Sequence, residues 1–174
     1  MISDYIISRA SVVDAIQLAD ISRTTFFEAF AADNTEADME LHLNQYYSVE
    51  KMKVELQDPL VCFFLAYSNN ELIGYLKMSL HVKPKEEISL DAPIELERIY
   101  SLKKMIGKGV GKLLMQTAIA FAKEKEKKTI WLGVFQKNET AISFYKKWGF
   151  EIYGEHEFIV GKDIQTDWLM KKQL

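Results

Sequence analysis

Cysteine, proline and histidine are all scarce: the 174 residues include one Cys, three Pro and three His. A lone cysteine excludes an internal disulfide framework. Cys62 lies in the apolar run 60–67, where a buried, inert thiol is expected rather than a nucleophile, and a reducing cytoplasm fits. No stretch reaches the ~18 consecutive apolar residues that a membrane-spanning helix needs, so no membrane partner is expected. Asp4 and Arg9 interrupt the N-terminal region where a secretory signal would be continuously apolar. His42, His81 and His156 fall in unrelated parts of the chain. They form neither metal-ligand spacing nor a nucleophile triad, so no metal is expected. Linkers, repeats and low-complexity segments are also missing. One domain spanning 1–174 is therefore expected, long enough to bury roughly 70% of its unfolded surface.

What is present is an ordinary globular mixture, 48% hydrophobic and 27% charged, which excludes disorder as a description of the whole chain. The net charge of −3 argues against a nucleic-acid partner. Its distribution is uneven. Residues 1–100 carry 8 basic and 17 acidic side chains, and residues 101–174 carry 14 basic and 8 acidic. Two solvated faces would account for this. So would a two-substrate protein whose basic part holds an anionic ligand and whose acidic part attracts a cation.

The periodicity predicts a short strand at 4–9, then a helix opened by Ser11 and Asp14. The helix carries an apolar stripe of Val12, Ile16, Ala19, Phe26, Phe27 and Phe30. A second helix starts at 34–36 and ends near Tyr47. Ser48 caps a further turn or two that Asp58-Pro59 stops. Residues 60–67 read as a buried strand, 68–71 as a hairpin turn and 72–82 as its partner. Residues 83–92 read as a polar loop, and 93–101 as a strand whose alternation slips between Leu96 and Ile99, the sign of a bulge. A glycine loop, a helix at 110–125, a strand at 129–135, a helix at 138–148 closed by Gly149 and a final antiparallel pair at 150–160 and 164–170 complete the order. A strand, loop, helix and strand in succession imply a parallel crossover inside a mixed sheet, an α/β class.

Ile106-Gly107-Lys108-Gly109-Val110-Gly111-Lys112 follows a predicted strand and opens a helix, with Lys103 and Lys104 just before it. Glycines let backbone N–H groups approach an anion, and the helix start adds a positive dipole, so a phosphate site is expected. A Walker loop would need glycine at Ile106 and Ser or Thr at Leu113. A dinucleotide fingerprint would need glycine at Lys112 or Leu114. Both fail. The pyrophosphate of coenzyme A remains, beside a tight turn with no ligand.

Asn138-Glu139-Thr140-Ala141-Ile142-Ser143-Phe144-Tyr145-Lys146-Lys147-Trp148-Gly149-Phe150 resembles the N-x-x-A-x-x-F-Y-x-x-x-G-F motif of the GNAT family of N-acetyltransferases. The loop 107–111 resembles that family's Q/R-x-x-G-x-G/A acetyl-CoA loop, and the element order is similar over nearly the whole chain. Glu95-Leu96-Glu97-Arg98-Ile99-Tyr100, the segment 130–134 and the segment 165–170 are similar to PaiA-type spermidine/spermine N-acetyltransferases. One departure stands out: the Gln or Arg that usually opens the loop is Ile106, which leaves only its backbone N–H for a contact.

The resemblance implies a mixed central sheet of about seven strands flanked by helices, with one splayed parallel pair. It implies acetyl-CoA as co-substrate and a small-molecule amine, most simply a polyamine, as acceptor. A protein N-terminus or lysine as acceptor, and a non-catalytic acetyl-CoA-binding regulator, remain alternatives, and a homodimer is compatible. The implied coenzyme contacts are Ile99, Tyr100 and Ser101 on the splayed strand, Ile106, Gly107, Lys108, Gly109, Val110, Gly111 and Lys112 in the loop, and Asn138. Tyr145 would protonate the leaving thiolate, and the Ile99 N–H would polarise the thioester carbonyl. Glu95 and Glu97 share one strand face. They are either an exposed acidic face or, with Tyr100, a cation site in which Glu97 acts as general base through water. Asn138 also suits a helix cap, and Tyr145 and Ile99 also suit a core.

Overall fold

The structure is a computed structural model and describes residues 5–87 and 89–174. Asp4, expected to open the first strand, lies outside the described residues. The strands are β1 (Tyr5–Arg9), β2 (Val61–Ser68), β3 (Glu71–Ser79), β4 (Pro93–Ser101), β5 (Thr129–Phe135), β6 (Glu151–Val160) and β7 (Asp163–Gln173). The helices are α1 (Ala15–Phe30), α2 (Glu36–Tyr46), α3 (Val49–Gln57), α4 (Pro84–Glu87), α5 (Val110–Glu124) and α6 (Glu139–Lys147). All seven strands form one sheet in the order β1-β2-β3-β4-β5-β7-β6. Only β4 and β5 run parallel, because α5 carries the chain back between them, as a parallel connection requires.

Local chemistry explains the boundaries. Ser11 and Asp14 form a reciprocal capping box that opens a single 3₁₀ turn ahead of α1. The hydroxyls of Thr35 and Ser48 accept from the N–H groups of Asp38 and Lys51, which starts α2 and α3. Asn69 and Asn70 take φ of 48° and 65°, the left-handed pair that a two-residue hairpin needs between β2 and β3.

The central strands are buried on both faces, and their alternation divides the interior in two. Leu76, Met78, Ile94, Leu96, Ile130 and Leu132 meet α5 and α6 on one face. Phe63, Leu65 and Tyr75 meet α1, α2 and α3 on the other. Each fully buried large side chain stabilises the fold by roughly 1.5–3 kcal/mol. Cys62 is buried as expected, and burial raises its thiol pKa above the ordinary value.

Three expectations need correction. Of the expected apolar stripe, Ala19, Phe26 and Phe30 are buried, whereas Val12, Ile16 and Phe27 are not. Leu18, Ile21, Ser22 and Thr25 also turn inward. Small polar residues hid part of that buried face: Thr25 satisfies its hydroxyl on the Ile21 carbonyl at 2.8 Å. The polar loop at 83–92 contains α4. Strand β7 extends to Gln173 through Lys171 and Lys172, which apolar alternation alone could not reveal.

The expected bulge is present. Lys77 pairs with Arg98 and Met78 with Leu96, so Glu97 is the extra residue of β4. On its other side β4 pairs with β5 only over Pro93–Thr129, Ile94–Ile130 and Glu95–Trp131. Beyond Glu95 the two strands separate.

His42 of α2 illustrates the interior behind that gap. It stacks on Phe26 at 4.4 Å and meets Tyr46, Tyr47 and Phe158 with centroids 4.6–5.9 Å away. Burial, helped by the charge of Arg98, depresses its pKa to about 4. The unfolded chain binds this proton near pH 6.5. His42 therefore contributes stability above that pH, and the contribution is lost as pH falls through about 4. We expect the urea midpoint of the wild type to fall more steeply between pH 6.5 and 4 than that of His42→Phe, which keeps the stack and removes the titration. Parallel curves would refute this.

Candidate active site

Where β4 and β5 part, a cavity of about 940 Å³ opens. Among the described residues, the edge of β4 from Leu96 to Ser101 that faces β5 has no strand partner, which leaves backbone polar groups there for a ligand. Every site residue anticipated from the sequence lines this cavity except Lys108 and Val110. Val110 is fully buried in the core. Lys108 is exposed, and its carbonyl accepts from the Tyr5 hydroxyl at 2.9 Å.

One half of the cavity is the glycine cradle. Gly107 and Gly109 have φ of 79° and 89°, a region that disfavours any side chain, and a Cβ on either would project into open space. Gly109 caps α5, whose first intrahelical bond runs from the Leu113 N–H to the Gly109 carbonyl at 3.1 Å. The N–H groups of Val110, Gly111 and Lys112 precede that bond and point out of the helix start, where the dipole favours an anion. The N–H groups of Ile106 and Lys108 are instead spent inside the turn, on the carbonyls of Lys103 and Met105. The backbone contact expected at Ile106 is therefore already committed, and Ile106 meets the cavity with its exposed side chain. Of the surrounding lysines, Lys104 is tied to Glu71. Among the described residues, no carboxylate lies within ion-pair distance of the ammonium groups of Lys103, Lys108 or Lys112.

Helix α6 supplies two groups to the same wall. The Asn138 side-chain oxygen accepts from the Ala141 N–H at 3.1 Å, so the residue caps the helix while lining the cavity. Tyr145 lies two turns on, packed against Phe144 and Phe150. Burial raises its phenol pKa above the ordinary value, so it is a neutral donor at any working pH.

The other half lies over the far face of β4, and here the structure departs from a simple acidic face. Glu95 is 5% exposed and lies 2.6 Å from the ammonium of Lys83. Burial holds its pKa above the ordinary carboxylate value against the pull of Lys83. Glu97 lies 2.6 Å from Lys77 and 3.8 Å from Arg98. Burial would raise its pKa, but Lys77 and Arg98 outweigh that and hold it low. Lys77 and Arg98 also share Glu55 of α3, each at 3.1 Å, and the guanidinium stacks 4.7 Å over Tyr47. The two glutamates do share a face, but each already has a cation from the chain itself.

Sequence reasoning missed three contributors. Phe26, His42, Tyr46, Tyr47 and Phe158 give this lobe aromatic walls. The segment around α4 contributes Lys83 to the lining and ties its glutamates to neighbouring strands. Lys83 reaches Glu95, the Glu86 carboxylate lies 3.4 Å from His156, and the Trp131 indole donates to Glu87 at 3.0 Å. Last, His156 of β6 stands opposite Asp167 of β7, with Nε2 3.7 Å from Oδ2. A hairpin register joined residues that spacing along the chain could not. The glycine at 133, inside a strand, was the available signal: a Cβ there would lie 3.0 Å from His156 Nε2 and 3.2 Å from Asp167 Oδ2.

The glycine turn with its free helix-start N–H groups and the acidic, aromatic lobe are thus two chemically distinct ends of one cavity, joined through a gap between parallel strands. The chain belongs to the GNAT acetyltransferase family, whose sequence profile matches residues 17–150. It is 36% identical over 168 residues to an N-acetyltransferase of the pepI 3′ region in Lactobacillus delbrueckii subsp. lactis, covering 97% of this chain and 96% of that one. It is 30% identical over 138 residues to the spermine/spermidine N(1)-acetyltransferase of Bacillus subtilis (strain 168), covering 75% and 90%. The crystal structure of the PaiA N-acetyltransferase from Thermoplasma acidophilum in complex with coenzyme A superposes with a TM-score of 0.80 at 23% identity, covering 98% and 99%. The protein is thus an N-acetyltransferase. No helix among the described residues is long and apolar enough to cross a membrane.

The ion cluster beneath the cavity generates a stability prediction. Glu55→Gln leaves two buried cations with Glu97 as their one remaining counter-charge. Stripping a partner from a buried ion pair typically costs about 3–5 kcal/mol, so urea denaturation should show a loss of that order. A loss within experimental error would show that solvent reaches the cluster.

Proposed function

We propose that the chain transfers the acetyl group of acetyl-CoA to a primary amine, with a polyamine such as spermidine or spermine as the acceptor. The observation that carries this reading is the single cavity running from the α5 N–H groups, past the unpaired edge of β4, into the acidic and aromatic lobe. The pyrophosphate fits the open space over Gly107 and Gly109, against the N–H groups of residues 110–112 and the Lys112 ammonium. The pantetheine arm follows β4 from Ile99 to Ser101, with Asn138 across from it. On this edge a backbone N–H at or beside Ile99 polarises the thioester carbonyl.

The acceptor lobe fits a molecule with several ammonium groups. Glu95, Glu97, Glu157 and Asp167 line it against Lys83, Arg98 and His156, and aromatic faces attract cations. The similarity to the spermine/spermidine N(1)-acetyltransferase of B. subtilis lends support. In the reaction a neutral amine attacks the carbonyl carbon, the C–N bond forms and the C–S bond breaks. Tyr145 donates to the departing sulfur. Orientation of amine and thioester in a ternary complex supplies much of the rate.

An amine panel followed by free-thiol release tests this. Spermidine and spermine should exceed simple monoamines in kcat/KM, and added salt should reduce that advantage. A panel in which monoamines equal polyamines, or only a peptide is acetylated, would overturn the acceptor. Binding of acetyl-CoA with no turnover on any amine would favour a regulator. Tyr145→Phe should lower kcat about 100-fold or more with little change in acetyl-CoA affinity. Gly109→Val should raise the KM for acetyl-CoA strongly, because it places a side chain at φ 89° in the cradle. An unchanged KM there would remove the loop assignment.

A further inference from the structure

We propose that the imidazole of His156, held between Asp167 and Glu86, takes the proton that the acceptor amine must lose before it can attack. The proposal rests on the amine reading above and deepens it. An ammonium has no lone pair, so a base has to act in the acceptor lobe. Glu97, on the bulge, is poorly suited: Lys77 at 2.6 Å and Arg98 at 3.8 Å already neutralise it. Glu95 is occupied by Lys83. His156 differs because both of its neighbours are anions and its side chain is 29% exposed on the cavity wall.

Three strands converge to build this arrangement. His156 and Asp167 are register partners on β6 and β7, so their side chains share the face that bears the lobe. On β5 the missing side chain of Gly133 leaves the space in which they meet. From the β3–β4 connection Glu86 approaches Nδ1, and its carbonyl is fixed by the Tyr153 hydroxyl at 2.9 Å. Asp167 is 6% exposed, and among the described residues its buried Oδ1 has no hydrogen-bond partner, an acceptor left over for a donor that enters the lobe. The other charged groups on this wall are Glu157, the neighbour on β6, and the Glu95–Lys83 pair. Asp167 and Glu86 support the protonated ring and raise its pKa above the ordinary histidine value.

The protons balance. A primary ammonium gives up two as it becomes the amide. One passes to His156 and on to solvent, and the other ends on the coenzyme sulfur through Tyr145. Since the folded imidazole holds its proton tightly, the base form accumulates, and the rate rises, as pH climbs past its pKa.

Steady-state kinetics across pH in the full chain, with imidazole NMR, test this. His156→Gln should lower kcat/KM for the amine about 100-fold or more, keep the KM for acetyl-CoA and abolish the rise of rate with pH. Asp167→Asn should move that rise to lower pH by about one unit, since an anion beside the ring is gone. The His156 resonance, assigned by its loss in His156→Gln, should titrate above pH 6.5 and follow the same shift in Asp167→Asn. A His156→Gln enzyme with the wild-type rate and profile overturns the proposal. So does a resonance titrating at or below the ordinary value, whether or not the variants turn over. If Glu97→Gln alone removes the pH rise, the base is Glu97 and the amine reading survives. If wild type binds acetyl-CoA and acetylates no amine, that reading fails, and this one with it.

Discussion

Three residue pairs join β4 to β5, and the molecule depends on that pairing ending at Glu95. Had the ladder continued, the sheet would be closed and no ligand could reach the polar edge of β4. The stop has a cause in the chain. Glu97 is inserted opposite Lys77 and Met78, and a bulge bends its own strand and increases the local twist. The bend opens the gap, and the gap connects the glycine cradle with the acidic, aromatic lobe.

The same insertion accounts for the charge buried beside it. Glu97 and Arg98 are consecutive, yet both reach the α3 side of the sheet, where Glu55 and Lys77 meet them. Removing four ionised groups from water is costly. The cluster is tolerated because positive and negative groups alternate, so no charge lies buried alone. It also ties α3 to the two strands at the point where strand pairing is weakest, and it sets the charge of the lobe's floor before any substrate arrives.

Local signals made most of the fold legible. The caps at Ser11, Thr35, Ser48 and Asn138, the Asn-Asn hairpin and the slip between Leu96 and Ile99 each act within a few residues, and each marks its element. The glycine end of the cavity was legible for the same reason, because a glycine loop and the helix it opens are contiguous. The acidic, aromatic end was not. Glu95 and Glu97 could be placed on one face, but nothing near them announces Lys83, Lys77 or Arg98 as their counter-charges. His156 meets Asp167 only through the β6–β7 register, and Glu86 arrives from a segment that reads as an undistinguished polar loop. The inward polar residues of α1, Ser22 and Thr25, misled the apolar stripe in a similar way.

The connection carrying α4 touches three different strands through Lys83, Glu86 and Glu87. No strand register includes a residue of this connection, so the sheet itself does not set its length. Across generations of related sequences, acceptor choice could then drift by insertion and deletion in this one connection while the glycine cradle stayed fixed. For the engineer, on the proposed reading, grafting the stretch between β3 and β4 from one scaffold to another is a route to a new acceptor that leaves the glycine cradle untouched.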